Sequence, residues 1–193
     1  MDATGLEARH TSSYFVERKG YEPFYRRHWP KLTVVCDTQT HLWPGAVVTR
    51  GPSNDSPQFP DAITEAATHV PFDRVLADAA YDGEHHHRLC RETLGIRSTV
   101  IPLNKRSAGK QEPKTKYRRQ MHRRFHRRIY GQRWHVESAF SQHKRRLGSA
   151  LTARSDTTQL QEASLRVITH NLMILRCYPE RVSTEQKPGT PGS

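Results

Sequence analysis

The sequence predicts an α/β fold: an antiparallel hairpin followed by parallel crossover strands in one mixed sheet, with flanking helices. Three observations predict it. Lys31–Thr40 (KLTVVCDTQT) and His41–Arg50 (HLWPGAVVTR) are β-branched, apolar stretches, and the polar Asp37–Thr40 between them reads as a hairpin turn. Arg74–Asp78 (RVLAD) and Ser98–Leu103 (STVIPL) are short apolar runs bounded by turn formers, with a helical stretch between them, as parallel strands require. From Arg118 onward the chain is helical in character up to Arg176.

The remaining elements follow in order. Leu6–Val16 is mixed and can hold a short strand, and Glu17–Pro30 reads as a loop rich in charge and aromatics. Gly51–Pro60 (GPSNDSPQFP) is a turn region, and Asp61–Thr68 a short helix. Gly83–Leu94 predicts a helix stopped by Gly95. Arg118–Leu147 predicts helix broken near Gly131. Thr158–Arg176 carries Leu160, Ala163, Val167, Ile168, Leu172 and Leu175, a stripe suited to packing on a sheet. Pro179–Ser193 predicts a disordered tail, so the expected organisation is one domain over 1–178 and a tail over 179–193.

No run approaches the length of a membrane span, and no leader pattern opens the chain. Cys36, Cys90 and Cys177 lie far apart without a CxxC pair, which predicts a reducing, cytoplasmic setting. The 193 residues carry a formal net charge of +12, which predicts a polyanionic partner. That charge is concentrated. Asn104–Arg154 holds 16 Lys/Arg and only two acids, Glu112 and Glu137, while the rest of the chain is slightly acidic. Lys105–Lys116 reads equally as a solvated basic loop. Arg118–Arg146 reads as a nucleic-acid surface, because Tyr117, Phe125, Tyr130, Trp134 and Phe140 are interleaved there with Arg123, Arg124, Arg127 and Arg128.

Three acids stand out. Asp78 ends an apolar strand, where α/β sheets place functional groups; the plainer alternative is a turn or cap, a role that Asp82 before Gly83 fills better. Glu137 is isolated among basic residues. Tyr130, Arg133, Glu137, Phe140 and Lys144 share one face of a helix, so Glu137 is either a salt-bridge partner or a metal-binding carboxylate flanked by phosphate-gripping groups. Asp2, by itself, says little. His85, His86, His87 and Cys90 read as exposed helix residues rather than a zinc site, Cys36 reads as core, and Ser12 and Ser13 lack the glycines of a hydrolase elbow.

Taken together, the motifs resemble the catalytic part of bacterial insertion-sequence transposases of the DDE superfamily, the RNase H-like group. The pattern Y-x2-R-x3-E-x6-K of one branch is present as Tyr130, Arg133, Glu137 and Lys144. VLADAAYDGEHH, a helix and STVIPLNKR resemble its second-Asp segment and the strand that follows. DATGLEARHTSSYF resembles its first-Asp segment, and KLTVVCDTQTHLWPGAVVTRGPSND its hairpin. The resemblance covers Asp2 to about Arg176.

The resemblance implies catalytic, metal-holding roles for Asp2, Asp78 and Glu137, with Asp37 and Asp82 as rivals. It implies contacts of Tyr130, Arg133 and Lys144 with transposon-end DNA. It implies Mg²⁺ or Mn²⁺ as cofactor, since two Asp and one Glu supply the oxygen ligands these ions prefer. The implied reaction nicks the element's end, and the freed 3′-hydroxyl then attacks target DNA. A homodimer in the DNA complex is expected, and no membrane. Family members carry strand residues and a DNA-binding region before the first Asp, whereas here Asp2 follows Met1, so the expectation is an N-terminally truncated catalytic domain. The alternative function is a basic DNA-binding remnant without catalysis.

Overall fold

The computed structural model describes residues 1–8, 29–104 and 112–177. Strand β1 (Asp2–Gly5) pairs antiparallel with β3 (Pro30–Val35), which pairs antiparallel with β4 (Gly45–Arg50). The short β2 (Glu7–Ala8) lies parallel to β7 (Ala150–Leu151). β5 (Arg74–Leu76) and β6 (Ser98–Val100) pair in parallel. The Met1 nitrogen donates to the Leu76 carbonyl at 2.6 Å, which ties the start of β1 to β5. The fold is thus mixed α/β, with an antiparallel sheet and parallel pairs as expected, but among the described residues the one mixed sheet is instead three separate ladders, β1-β3-β4, β2-β7 and β5-β6, because no strand pairs by hydrogen bonds across the groups.

Register decides which side chains can reach the site. Successive strand residues point to opposite faces. The pairings Ala3↔Thr33↔Val47 put these residues on one face, and Asp2↔Val34↔Ala46 and Thr4↔Leu32↔Val48 put those on the other. The first face packs with helix α1 (Phe59–His69), where Val35 and Val47 join Phe59, Ala62, Ile63 and Tyr81. α1 approaches so closely that a Cβ on Gly45 would lie 2.2 Å from the Ala62 carbonyl oxygen. The second face packs with helices α5 (Trp134–Leu147) and α6 (Asp156–Cys177), where Leu32, Val34 and Trp43 meet Val136, Ala139, Phe140, Ala163 and Val167. Asp2 and Thr4 therefore sit on the α5 side. Helix α2 (Glu84–Arg88) continues as a π turn over Leu89–Thr93 and ends before Gly95, whose φ of +68° suits a glycine stop.

Several expectations need correction. The helical stretch breaks near Gly131, as expected, but it also breaks a second time. It is α3 (Lys116–Arg123), α4 (Arg127–Tyr130), a 3₁₀ turn at Gly131–Arg133 and α5, with an additional break at Arg124–His126. His86, His87 and Cys90 are buried rather than exposed. The reason is that α2 packs between α1, β6 and α3. The His86 ring lies on Phe59 and His87 meets Thr99 Oγ1 at 2.6 Å. Tyr117 and Phe140 are core residues, not surface aromatics: Tyr117 lies against the His87 ring, and Phe140 meets Trp43 edge-on. On α6 the apolar stripe divides. Ala163, Val167 and Ile174 are buried, whereas Leu165, Ile168, Leu172 and Leu175 are exposed. The tail over 179–193 and most of Leu6–Val16 lie outside the described residues. Among the described residues no helix is long and apolar enough to cross a membrane.

Two buried histidines predict acid sensitivity. Burial foremost, then the charges of His170, Arg166 and Lys144, pushes His143 down to about 4. Burial foremost pushes His87 down to about 4 as well, against the opposing pull of Glu84 and Asp82. Both folded-state values lie below the ordinary value of 6.5. The unfolded chain therefore binds more protons between those limits, and stability falls as pH drops from about 6.5 to about 4. Urea midpoints should decline steadily across this window, and His143→Leu should flatten part of the decline. A midpoint independent of pH there would contradict this assignment.

Candidate active site

The side chains of interest come from three elements. Asp2 opens β1, Asp78 follows β5, and Arg133 and Glu137 lie just before α5 and in its first turn. Arg133 Nη1 donates to Asp2 Oδ2 at 2.8 Å, Arg133 Nη2 donates to Glu137 Oε1 at 2.6 Å, and Nη1 lies 3.9 Å from Asp78 Oδ2. One guanidinium thus gathers all three carboxylates. The Asp2 and Asp78 oxygens face the same nitrogen, so their separation cannot exceed the sum of those two lengths.

Local structure explains how each acid is held. Asp2 Oδ1 accepts from the Ala3 N–H at 2.9 Å, leaving Oδ2 for Arg133. Burial raises the Asp2 pKa, opposed by the Ala3 N–H and by the positive charge of Arg133. Asp78 caps the 3₁₀ turn Ala79–Tyr81 by accepting from the Ala79 N–H through Oδ1, which leaves Oδ2 on the Arg133 side. The cap role expected of Asp82 thus belongs to Asp78, which serves the turn and faces the cluster at once. The Glu137 side chain is the most open of the three at 57% exposed, against 43% for Asp78 and 19% for Asp2.

The rival acids lie elsewhere. Asp37 is held in the β3–β4 turn, accepting from the Thr40 N–H at 3.0 Å and the Gln39 N–H at 3.3 Å. The Asp82 side chain is fully buried and takes a bidentate contact from Arg118, 2.8 Å at each oxygen, while accepting from the Asn104 N–H. Neither carboxylate touches Arg133.

The basic residues divide similarly. Lys144 donates to Thr4 Oγ1 at 2.8 Å, one strand repeat from Asp2 on the same face of β1. The Tyr130 ring lies 6.0 Å from the Arg133 guanidinium, and burial raises its phenol pKa. Arg123 is paired with Glu112 at 2.5 Å, whereas Arg124, Arg127 and Arg128 are exposed with no ion pair among the described residues. Next after Arg133 in the chain, Trp134 is 55% exposed and stacks on His135, whose Nδ1 lies 3.0 Å from His41 Nε2. Sequence reading passed over Thr4 and His41. Strand alternation from Asp2 would have placed Thr4 beside it; His41, at φ +66° in the turn, carried no comparable signal.

Among the described residues no three His, Cys, Asp or Glu side chains stand close enough to bind a metal by themselves. The carboxylates instead face a shared cation, and their oxygen-only chemistry is what Mg²⁺ or Mn²⁺ takes. On that chemistry the three carboxylates offer the oxygen ligands that a divalent ion takes.

No solved structure matches this chain. A family model, the transposase DDE domain, matches residues 1–172, from the first carboxylate through α5 and most of α6. The chain belongs to the transposase DDE domain family.

Proposed function

We propose that this chain is an RNase H-like transposase catalytic domain that cleaves the ends of an insertion element and joins them to target DNA. The observation that carries the reading is the meeting of Asp2, Asp78 and Glu137, from three separate elements, at a single cationic centre. In this reading the three carboxylates hold Mg²⁺ or Mn²⁺. When bound, such an ion supplies Lewis-acid stabilisation to a phosphodiester undergoing in-line displacement. Asp2, held by its strand, and Asp78, held by its turn, act as fixed ligands; Glu137 closes the set from the helix. Lys144 and Tyr130 flank the cluster and orient the DNA strand. Arg124, Arg127 and Arg128, joined by Arg123, form the basic surface that gathers DNA by charge. Two copies act together, one at each end of the element.

The experiment uses a supercoiled plasmid carrying the DNA that flanks the coding sequence, incubated with the purified chain and Mn²⁺ or Mg²⁺. Conversion to nicked and joined products that chelator abolishes is the expected result. Metal-independent binding without any nicking would favour the non-catalytic DNA-binding alternative.

Binding has its own test. Affinity for duplex DNA should fall with salt, because each neutralised phosphate releases counterions. Charge reversal at Arg123, Arg124, Arg127 and Arg128 should reduce the log–log slope by about 3–4, roughly 0.9 for each phosphate that is no longer neutralised. A slope equal to that of the parent would make this run a solvated face.

A further inference from the structure

Arg133 touches the carboxylates, yet a residue that grips DNA must leave its guanidinium free for phosphate. Both demands fall on one side chain. We propose that Arg133 is an exchangeable counter-cation: it gathers Asp2, Asp78 and Glu137 until a divalent ion displaces it, and the released guanidinium then binds a DNA phosphate beside the site. This inference rests on the reading that these carboxylates hold a divalent ion.

The geometry supports exchange over a permanent bridge. The three contacts are unequal. Asp2 and Glu137 are hydrogen-bonded at 2.8 and 2.6 Å, while Asp78 Oδ2, at 3.9 Å, is beyond hydrogen-bond reach. Asp78 is also 43% exposed, so one weakly held, accessible oxygen is available to an incoming ion before Arg133 moves. The Arg133 side chain is 18% exposed, against 43% for Asp78 and 57% for Glu137, so two of the three carboxylates are more open to solvent than the cation that joins them. Among the described residues Arg133 is the one cation ion-paired with these three acids, which leaves the cluster short of cation and able to accept a stronger one. A divalent ion on the same oxygens would stand a few ångström from the guanidinium, and like charges that close disfavour joint occupancy.

The destination is equally concrete. A guanidinium fork matches phosphate oxygens as well as it matches carboxylate. The consequence is linkage. A divalent ion must make more of Arg133 available to DNA, and DNA must by reciprocity tighten the ion.

The test needs no turnover. Mn²⁺ binding is titrated by electron paramagnetic resonance on the full chain, with and without a short duplex, for the parent, Arg133→Gln and Arg133→Lys. Without DNA, Arg133→Gln should bind Mn²⁺ about 10-fold more tightly than the parent, since its competitor has gone. The factor by which duplex DNA tightens Mn²⁺ should shrink in Arg133→Gln, because only direct bridging by the ion remains. Arg133→Lys, which keeps charge but loses the fork, should fall between the two and serves if the Gln variant does not fold. Equal or weaker Mn²⁺ binding in both variants overturns the exchange and leaves the carboxylate reading standing. Absence of Mn²⁺ binding in all three proteins overturns both.

Discussion

Glu137→Gln is expected to lose divalent-ion-dependent nicking by roughly two to three orders of magnitude, the scale seen when one preorganised electrostatic group of a site is removed. The substitution keeps length, shape and helix propensity, so α5 persists and the effect is confined to charge. Glu137 is largely exposed and its contact is the Arg133 bridge, so folding should hardly change. DNA binding should be retained or strengthened, because a negative charge leaves a basic region. Asp78→Asn should lower the rate similarly, since Oδ2 faces the cluster while Oδ1 still caps the turn at Ala79. Asp82→Asn should behave differently. It removes charge from a buried partner of Arg118 and should cost stability, leaving the rate of the folded fraction intact. Plasmid nicking, duplex affinity and thermal melting on the three variants separate these cases. A Glu137→Gln protein that nicks at the parent's rate would reduce Glu137 to an ion-pair partner of Arg133.

The meeting of these carboxylates at Arg133 has a physical basis in the sequence, and so does what the sequence does not show. The hairpin was legible because Lys31–Val35 and Ala46–Thr49 are β-branched runs around a turn whose geometry Asp37 fixes with its own carboxylate. β5 and β6 were legible because short apolar strands buried on both sides read as continuous runs. Glu137 was visible as the lone acid in a basic stretch, with Arg133 one helical turn before it. The family motif linked them to Asp2 and Asp78, which no local pattern could do, since the contact spans 131 residues. Burial at α2 was not legible. His86 and His87 are adjacent, and a helix with one apolar face buries only one of two neighbours. Both are buried because Phe59 and Thr99 approach from different elements. The divided stripe on α6 fails for a related reason. Apolar spacing marks a helix but does not say which of two neighbouring apolar faces meets the sheet, and Val167, not Ile168, was chosen by the position of Trp43 and Val136. The interleaved aromatics misled similarly, because Tyr117 and Phe140 follow helical spacing into the core.

Trp43→Ala should be the most damaging single change in the core, lowering stability by about 3–5 kcal/mol. Trp43 is 2% exposed and lies where the hairpin meets both long helices. Its ring stacks on His170 of α6 at 3.9 Å, tilts against His143 of α5 at 4.9 Å, and meets Phe140 edge-on at 5.6 Å. Its backbone is tied as well, since Trp43 N–H donates to Asn171 Oδ1 at 2.9 Å and Asn171 Nδ2 donates to the Trp43 carbonyl at 3.0 Å. The alanine variant keeps these backbone bonds but loses the ring that spaces α5 from α6. α5 carries Glu137 at its N-terminal end and Lys144 near its C-terminal end, so a shift of the helix moves both relative to Asp2 and Thr4 on β1. Nicking should therefore fall further than the folded fraction alone explains, because the geometry of a catalytic set tolerates only small displacements. Trp43→Phe preserves part of the stack and should recover much of both losses. The discriminating measurement is nicking rate per folded molecule, with folding followed by urea denaturation of each variant. If Trp43→Ala lowers stability while the folded molecules nick at the parent's rate, α5 is held by Val136, Ala139 and Phe140 without help from the indole, and the ring serves the core alone.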